Sequence, residues 1–296
     1  MNKGILYTAA AYLLWGMFPL YFKAIENVPA IQIVSHRIVW SLLFLVLVIL
    51  ALKQFGKFRA QLSPRIAGVY LIAGVLLSIN WLTYVWSVNA GFVVEASLGY
   101  FINPLVSVLL GVIFLKEKMR PWQWVPFGIA AAGVIYLTLS RSSSLWVPLT
   151  LAFSFGLYGL MKKLTPLGSL YGLTVETAMV SLPALGFLVF MQVQGSGAFW
   201  HAGVKTTLLL AFTGVVTAVP LLLFSAGTRS IPLTMVGLLQ YITPTMQFLL
   251  GVFVYGEPFT FERLIGFCII WIALMIFTLE GFLARRKAIT AVAASS

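Results

Sequence analysis

A chain of 296 residues with 61% hydrophobic and 9% charged side chains cannot cover a water-facing surface, because soluble domains carry roughly a quarter charged residues. Mean hydropathy is +1.01, so lipid must solvate most of the chain. The net charge of +12 does not point to nucleic acid, since the basic residues sit at segment ends and form no single patch.

A spanning helix needs about 20 apolar residues. Ten apolar runs meet that length with soft edges, and the sequence predicts helices over 4–22, 31–52, 66–88, 94–115, 121–139, 145–161, 170–193, 206–226, 232–255 and 261–283. The first run lacks a small-residue cleavage pattern and nine more follow it, so it reads as a retained helix and not a signal peptide. Strands are not expected, because the alternation of a barrel is absent and open sheet edges cannot persist in hydrocarbon. Cys268 stands alone in an apolar run, which excludes a disulfide framework.

Charge sets the expected orientation. With both termini cytoplasmic, the inner segments hold Lys3, Lys53, Lys57, Arg59, Arg65, Lys116, Lys118, Arg120, Lys162, Lys163, Arg229, Arg285, Arg286 and Lys287, while the outer side holds Lys23, Arg141, Lys205 and Arg263. Arg37 falls inside the second run.

An internal repeat organises the chain. A shift of 140 positions places Leu98, Ile102, Pro104, Leu109, Leu110, Gly111, Val112 and Glu117 on Leu238, Ile242, Pro244, Leu249, Leu250, Gly251, Val252 and Glu257. The same shift places Gly16, Leu20 and Lys23 on Gly156, Leu160 and Lys163. Each copy, 1–140 and 141–296, holds five runs. An odd number makes the second copy enter from the opposite face. The expected fold is therefore an all-α polytopic membrane protein of ten transmembrane helices in two inverted five-helix repeats. Such repeats recur in alternating-access transporters, with the solute site near mid-bilayer.

Candidate functional residues follow from the cost of polarity in lipid. Intramembrane ionisable groups cost about 2.5–3.5 kcal/mol on insertion scales and mark function by default. Here they are His36, Arg37, Glu95 and Glu176, with Glu176 falling on His36 under the shift. An Arg37–Glu95 pair is expected on the outer side, as a gate or a static strut. His36 is a candidate proton relay, or a neutral ring bonded to a carbonyl. No ligand cluster for a metal is present, since the only other histidine, His201, sits in an outer loop.

Tyr100, Asn103 and Ser107 share one helix face, and the shift carries them to Gln240, Thr243 and Gln247, again one face. Matching stripes suit a pathway for a polar organic solute, or interhelical hydrogen bonds. Tyr241 adjoins this second stripe. Asn80, Trp81 and Tyr84 on the third run, and Trp15 on the first, add polar and aromatic surface. Pro104 and Pro244 lie inside the striped helices and free the carbonyls of Tyr100 and Gln240. Pro19 and Pro220 are further expected kinks.

These residues carry a resemblance. Ala11-Tyr12-Leu13-Leu14-Trp15-Gly16 continuing through Pro19 to Tyr21-Phe22-Lys23, His36-Arg37 with Trp40-Ser41, Asn80-Trp81, Glu95 through Leu105, Val219-Pro220-Leu221-Leu222 and Gln240-Tyr241-Ile242-x-Pro244-Thr245 together resemble the RarD branch of the EamA-type drug/metabolite transporter superfamily. The resemblance runs from about residue 4 to 283. It implies the drug/metabolite transporter fold, a bacterial inner-membrane permease with cytoplasmic ends, and export of a metabolite or drug-like solute. Its common label, chloramphenicol-sensitivity protein, names no substrate. Gly256-Glu257-x-x-Thr260 matches the superfamily's helix-end motif. Lys116-Glu117-x-x-Arg120 departs from it, so Glu117 receives no role.

The sequence thus reads as a secondary permease for a small-molecule substrate in a lipid bilayer, with protons as a candidate coupling ion. The alternative is a structural or receptor-like subunit without flux. No enzyme is expected, because no GxSxG, HExxH or phosphate-binding GxxxxGK[ST] occurs. No cofactor or nucleic-acid partner is expected. Whether copies associate is left open.

Overall fold

The structure is a computed structural model and describes residues 3–89, 93–141, 145–254, 261, 264–266, 268–273, 275–277 and 279–280. Its elements are α1 (Lys3–Gly16), α2 (Phe18–Lys23), α3 (Ala30–Ala51), α4 (Phe55–Ala60), α5 (Pro64–Asn89), α6 (Val93–Phe114), a 3₁₀ turn (Pro121–Gln123), α7 (Trp124–Arg141), α8 (Trp146–Leu164), α9 (Ser169–Val193), α10 (Val204–Ser230), α11 (Leu233–Leu239) and α12 (Ile242–Phe253). No strand occurs among the described residues. Five stretches are long and apolar enough to cross a membrane: Lys3–Lys23, Ala30–Ala51, Pro64–Tyr84, Ser169–Val193 and Val204–Ser230.

Two differences from the sequence reading concern helix continuity. The first run breaks at Met17, because Pro19 has no N–H to offer Trp15 O four residues back. That carbonyl accepts the Gln247 side-chain amide instead, at 3.3 Å. The ninth run breaks at Gln240–Tyr241, one turn before Pro244, for the same reason. By contrast α6 and α10 stay continuous through Pro104 and Pro220, and α9 through Pro183. The short α4, in the basic loop after α3, has no counterpart in the sequence reading.

The packing follows the 140-residue shift. Helix α1 packs on α10 and α12, and its counterpart α8 packs on α5 and α6. Helix α3 packs on α10, and its counterpart α9 packs on α5. The self-related pairs α3–α9 and α6–α11 also meet. Small residues permit the approach. A Cβ on Gly237 of α11 would lie 2.6 Å from Pro104 O of α6, and Gly214 of α10 sits against the Trp40 backbone of α3.

The helix ends sort into two groups. Tyr21, Gln32, Ser196 and Leu209 meet at one end, where the Gln32 amide donates to Ser196 O at 2.8 Å and Tyr21 OH donates to Leu209 O. At the other end Gly4 abuts Ser230, the Tyr171 hydroxyl bonds Gln54, and Arg229 donates to Thr165 O and Leu167 O. This second end also gathers Lys57 and Arg59 on α4 and Lys53, Lys116, Lys118 and Arg120 on its loops.

Candidate functional site: a central cavity and a buried ion pair

A cavity of about 700 Å³ lies between α1, α2, α3, α5, α6, α8, α10 and the broken pair α11–α12. It reaches the loop Glu26–Pro29 at the end opposite the chain's start. The aromatic wall is Tyr12, Trp15, Phe18, Phe22, Trp81, Tyr84, Tyr100 and Phe155. Four lining pairs are related by the shift: Trp15 with Phe155, Trp81 with Leu221, Tyr100 with Gln240, and Asn103 with Thr243.

Of the eleven residues assigned to a pathway from sequence, nine line this cavity: Trp15, Asn80, Trp81, Tyr84, Tyr100, Asn103, Gln240, Thr243 and Gln247. Several have committed bonds. Asn80 Nδ2 donates to Leu151 O at 2.9 Å and Ser154 Oγ at 3.1 Å, tying α5 to α8. Thr243 Oγ1 donates to Tyr12 O at 2.8 Å. Two buried atoms of wall residues lack partners. Tyr12 OH and Gln240 Oε1 are buried without a hydrogen-bond partner, although buried polar atoms are nearly always satisfied.

Ser107 and Tyr241 do not line the cavity. The Ser107 hydroxyl donates to Asn103 Oδ1 at 3.4 Å, and its Cβ lies beside Gly237, because α11 crosses α6 there. Tyr241 belongs to a buried cluster with Leu98, Phe101 and Ile270, because the break at Gln240–Tyr241 turns the two neighbours to opposite sides. Its hydroxyl donates to Phe101 O at 3.4 Å.

Arg37 lines the cavity. Its guanidinium carbon lies 4.6 Å from the Trp81 ring centre, 5.1 Å from Phe22 and 5.5 Å from Phe18, within cation–π range. Nε donates to Thr217 Oγ1 at 2.9 Å. The side chain of Glu95, its expected partner, lies outside the described residues. His36 is buried outside the cavity, its ring 5.2 Å from Phe199. Its Nδ1 meets no partner, so the expected carbonyl bond is not made at that nitrogen.

Glu176 lies elsewhere, and its environment corrects the charge map. Lys162, read from sequence as a cytoplasmic loop charge, is 1% exposed and sits 2.7 Å from Glu176, also 1% exposed. Tyr158 OH donates to the other carboxylate oxygen at 2.8 Å, and Lys162 Nζ lies 5.8 Å from the Tyr70 ring centre. Helix α8 runs one turn further than the predicted 145–161, which draws Lys162 into the bundle. The signal was available, since the shift sets Lys162 on Phe22 and Glu176 on His36. Between this cluster and the cavity only a void of about 10 Å³ remains, bordered by Trp81, Glu176 and Leu221.

Glu117, left without a role from sequence, caps a helix. Its carboxylate accepts from Leu233 N at 2.6 Å and Thr234 N at 2.9 Å, the first residues of α11, and lies 3.3 Å from Lys163 Nζ. Burial raises its pKa, but the two backbone N–H donors and Lys163 outweigh that and hold it below the usual 4.5. The matching motif at Gly256–Thr260 lies outside the described residues. No group of three metal-ligating side chains occurs among the described residues.

Among the described residues the structure is helical, with five stretches apolar and long enough to cross a membrane and a solute-sized cavity of polar and aromatic residues, the architecture of a multi-pass membrane protein. The EamA-like transporter family model matches it twice, over residues 2–139 and 142–279. The chain is 50% identical to the uncharacterized transporter YojE of Bacillus subtilis over 94% of both chains. It is 44% identical to the protein RarD of Streptomyces exfoliatus, covering 97% of this chain and 91% of that one, and 38% identical to the protein RarD of Escherichia coli over 97% of both. A crystal structure of a protein 19% identical superimposes with a TM-score of 0.72, covering 94% of this chain and 98% of that chain, which supports the fold alone. The chain belongs to the EamA-like transporter family, in its RarD branch.

Proposed function

We propose that this protein is a secondary permease of the bacterial inner membrane. It moves a small organic solute out of the cytoplasm by alternating access between two inverted five-helix halves, 1–140 and 141–296. The supporting observation is the cavity of about 700 Å³, lined from both halves and including four shift-related pairs. A site lined from both halves stays in place while the halves rock, which is the geometry inverted-repeat transporters exploit.

In this reading the basic end is cytoplasmic, with both termini there. The cavity then opens outward past Glu26–Pro29, and the Lys162–Glu176–Tyr158 cluster closes the inner side. Switching requires that cluster to open and the aromatic ring around Arg37 to close. The breaks at Met17 and Gln240–Tyr241 fall beside the cavity, where unpaired backbone is tolerated in a bilayer and can absorb the motion. Proton coupling through Glu176, His36 or Glu95 and uncoupled diffusion are both compatible with this plan. Nothing in the reading calls for an enzyme or a cofactor.

Purified protein in liposomes tests it. Flux of a labelled solute is expected; chemical turnover would make it an enzyme, and neither would favour a receptor-like subunit. A thermal-stabilisation screen against metabolites identifies ligands, because a molecule binding only the folded state raises its melting temperature. Tyr100→Ala and Gln240→Ala are expected to remove that rise.

A further inference from the structure

We infer that the cavity selects organic monoanions with an aromatic or planar apolar body, and that Arg37 reads the carboxylate. This rests on the cavity being the solute site proposed above, and adds the chemical class of the solute.

A guanidinium carries five N–H donors in a planar fork. In Arg37 one is used, Nε on Thr217 Oγ1 at 2.9 Å, and the terminal nitrogens meet no acceptor among the described residues. That bond fixes the plane of the fork. The guanidinium carbon lies over the rings of Phe18, Phe22 and Trp81, which offer no hydrogen-bond acceptor to the terminal N–H groups and leave them for a ligand. The one acidic side chain described on the lining, Glu26, is at the rim and is paired with Lys23 at 2.8 Å. A carboxylate matches the fork with two parallel hydrogen bonds.

The remaining wall specifies the rest of the molecule. Trp15, Tyr84, Tyr100 and Phe155 line it with aromatic surface, against which a planar body packs.

The test compares acids with their uncharged isosteres in wild-type protein. 3-Phenylpropanoate and indole-3-acetate, and the primary amide of each, are titrated against the melting temperature of purified protein in detergent. Stabilisation by the acids and not by the amides is expected. Arg37→Gln should weaken acid binding by about 10- to 100-fold and remove the preference, and Arg37→Lys, which keeps charge without the fork, should fall between. Equal stabilisation by acid and amide would overturn the inference. So would an intact acid preference in Arg37→Gln, or no response to any probe at millimolar concentration. Should a variant fail to fold, the wild-type acid-against-amide comparison still decides. Liposome flux separates this inference from the transport reading: acid-selective binding without flux sinks transport alone, and flux of neutral solutes without acid preference sinks the anion site alone.

Discussion

Lys162 and Glu176 lie 2.7 Å apart on neighbouring helices α8 and α9, each with 1% of its side chain exposed. Removing one member of a buried pair leaves the other charged and unpaired, at a cost of about 3–5 kcal/mol, whereas replacing both with apolar groups is often neutral. Lys162→Met and Glu176→Leu should each lower the melting temperature in detergent by many degrees, and the double substitution should recover most of the loss. A double variant no better than the singles would show that the two side chains do not act as a pair.

Glu117 joins the first half of the chain to α11, and its substitution should be read in both stability and pH. Glu117→Gln removes charge-assisted acceptors from Leu233 N and Thr234 N. The expected cost is about 1–2 kcal/mol, the scale of a lost helix N-cap. Since the folded protein holds this carboxyl below 4.5, its contribution is full above that pH and is lost as pH falls through the depressed value. Melting curves should show a wild-type decline on acidification below 4.5 that is shallower in Glu117→Gln. Parallel curves would remove Glu117 from the account.

The crossing of α6 and α11 predicts a contrast between two glycines. A Cβ at Gly237 would meet Pro104 O at 2.6 Å, with Ser107 Cβ at 3.0 Å, while Gly128 of α7 has nothing within 4 Å. Gly237→Ala should destabilise by about 1–3 kcal/mol through overpacking and reduce flux. Gly128→Ala should be neutral or slightly stabilising, because alanine is the better helix former. Equal melting temperatures for the two variants would mean the crossing is looser than described.

Much of the architecture was legible because lipid imposes simple rules. Apolar length located the five stretches long enough to cross a membrane, and the 140-residue shift paired Tyr100 with Gln240 and Asn103 with Thr243, which line one cavity. Helical periodicity could not see the break at Gln240–Tyr241, which redirects Tyr241 into a cluster with Phe101, so adjacency in sequence misplaced it. Lys162 was misread because a lysine at a helix end is usually topological, and only its neighbour Glu176, fourteen residues on, makes it intramembrane. Glu117 was passed over because a cap bond to Leu233 depends on how two distant segments meet. The open groups of Tyr12 and Gln240 are products of packing, which no local pattern encodes.

The central claim is that the cavity around Asn103 is reached from each side of the membrane in turn. The direct measurement replaces Cys268 with Ser, introduces Asn103→Cys, and follows labelling by an impermeant maleimide from either face of oriented vesicles, with and without a stabilising ligand. The account predicts labelling from both faces, with the ligand shifting the balance between them. Labelling confined to one face under every condition would contradict it.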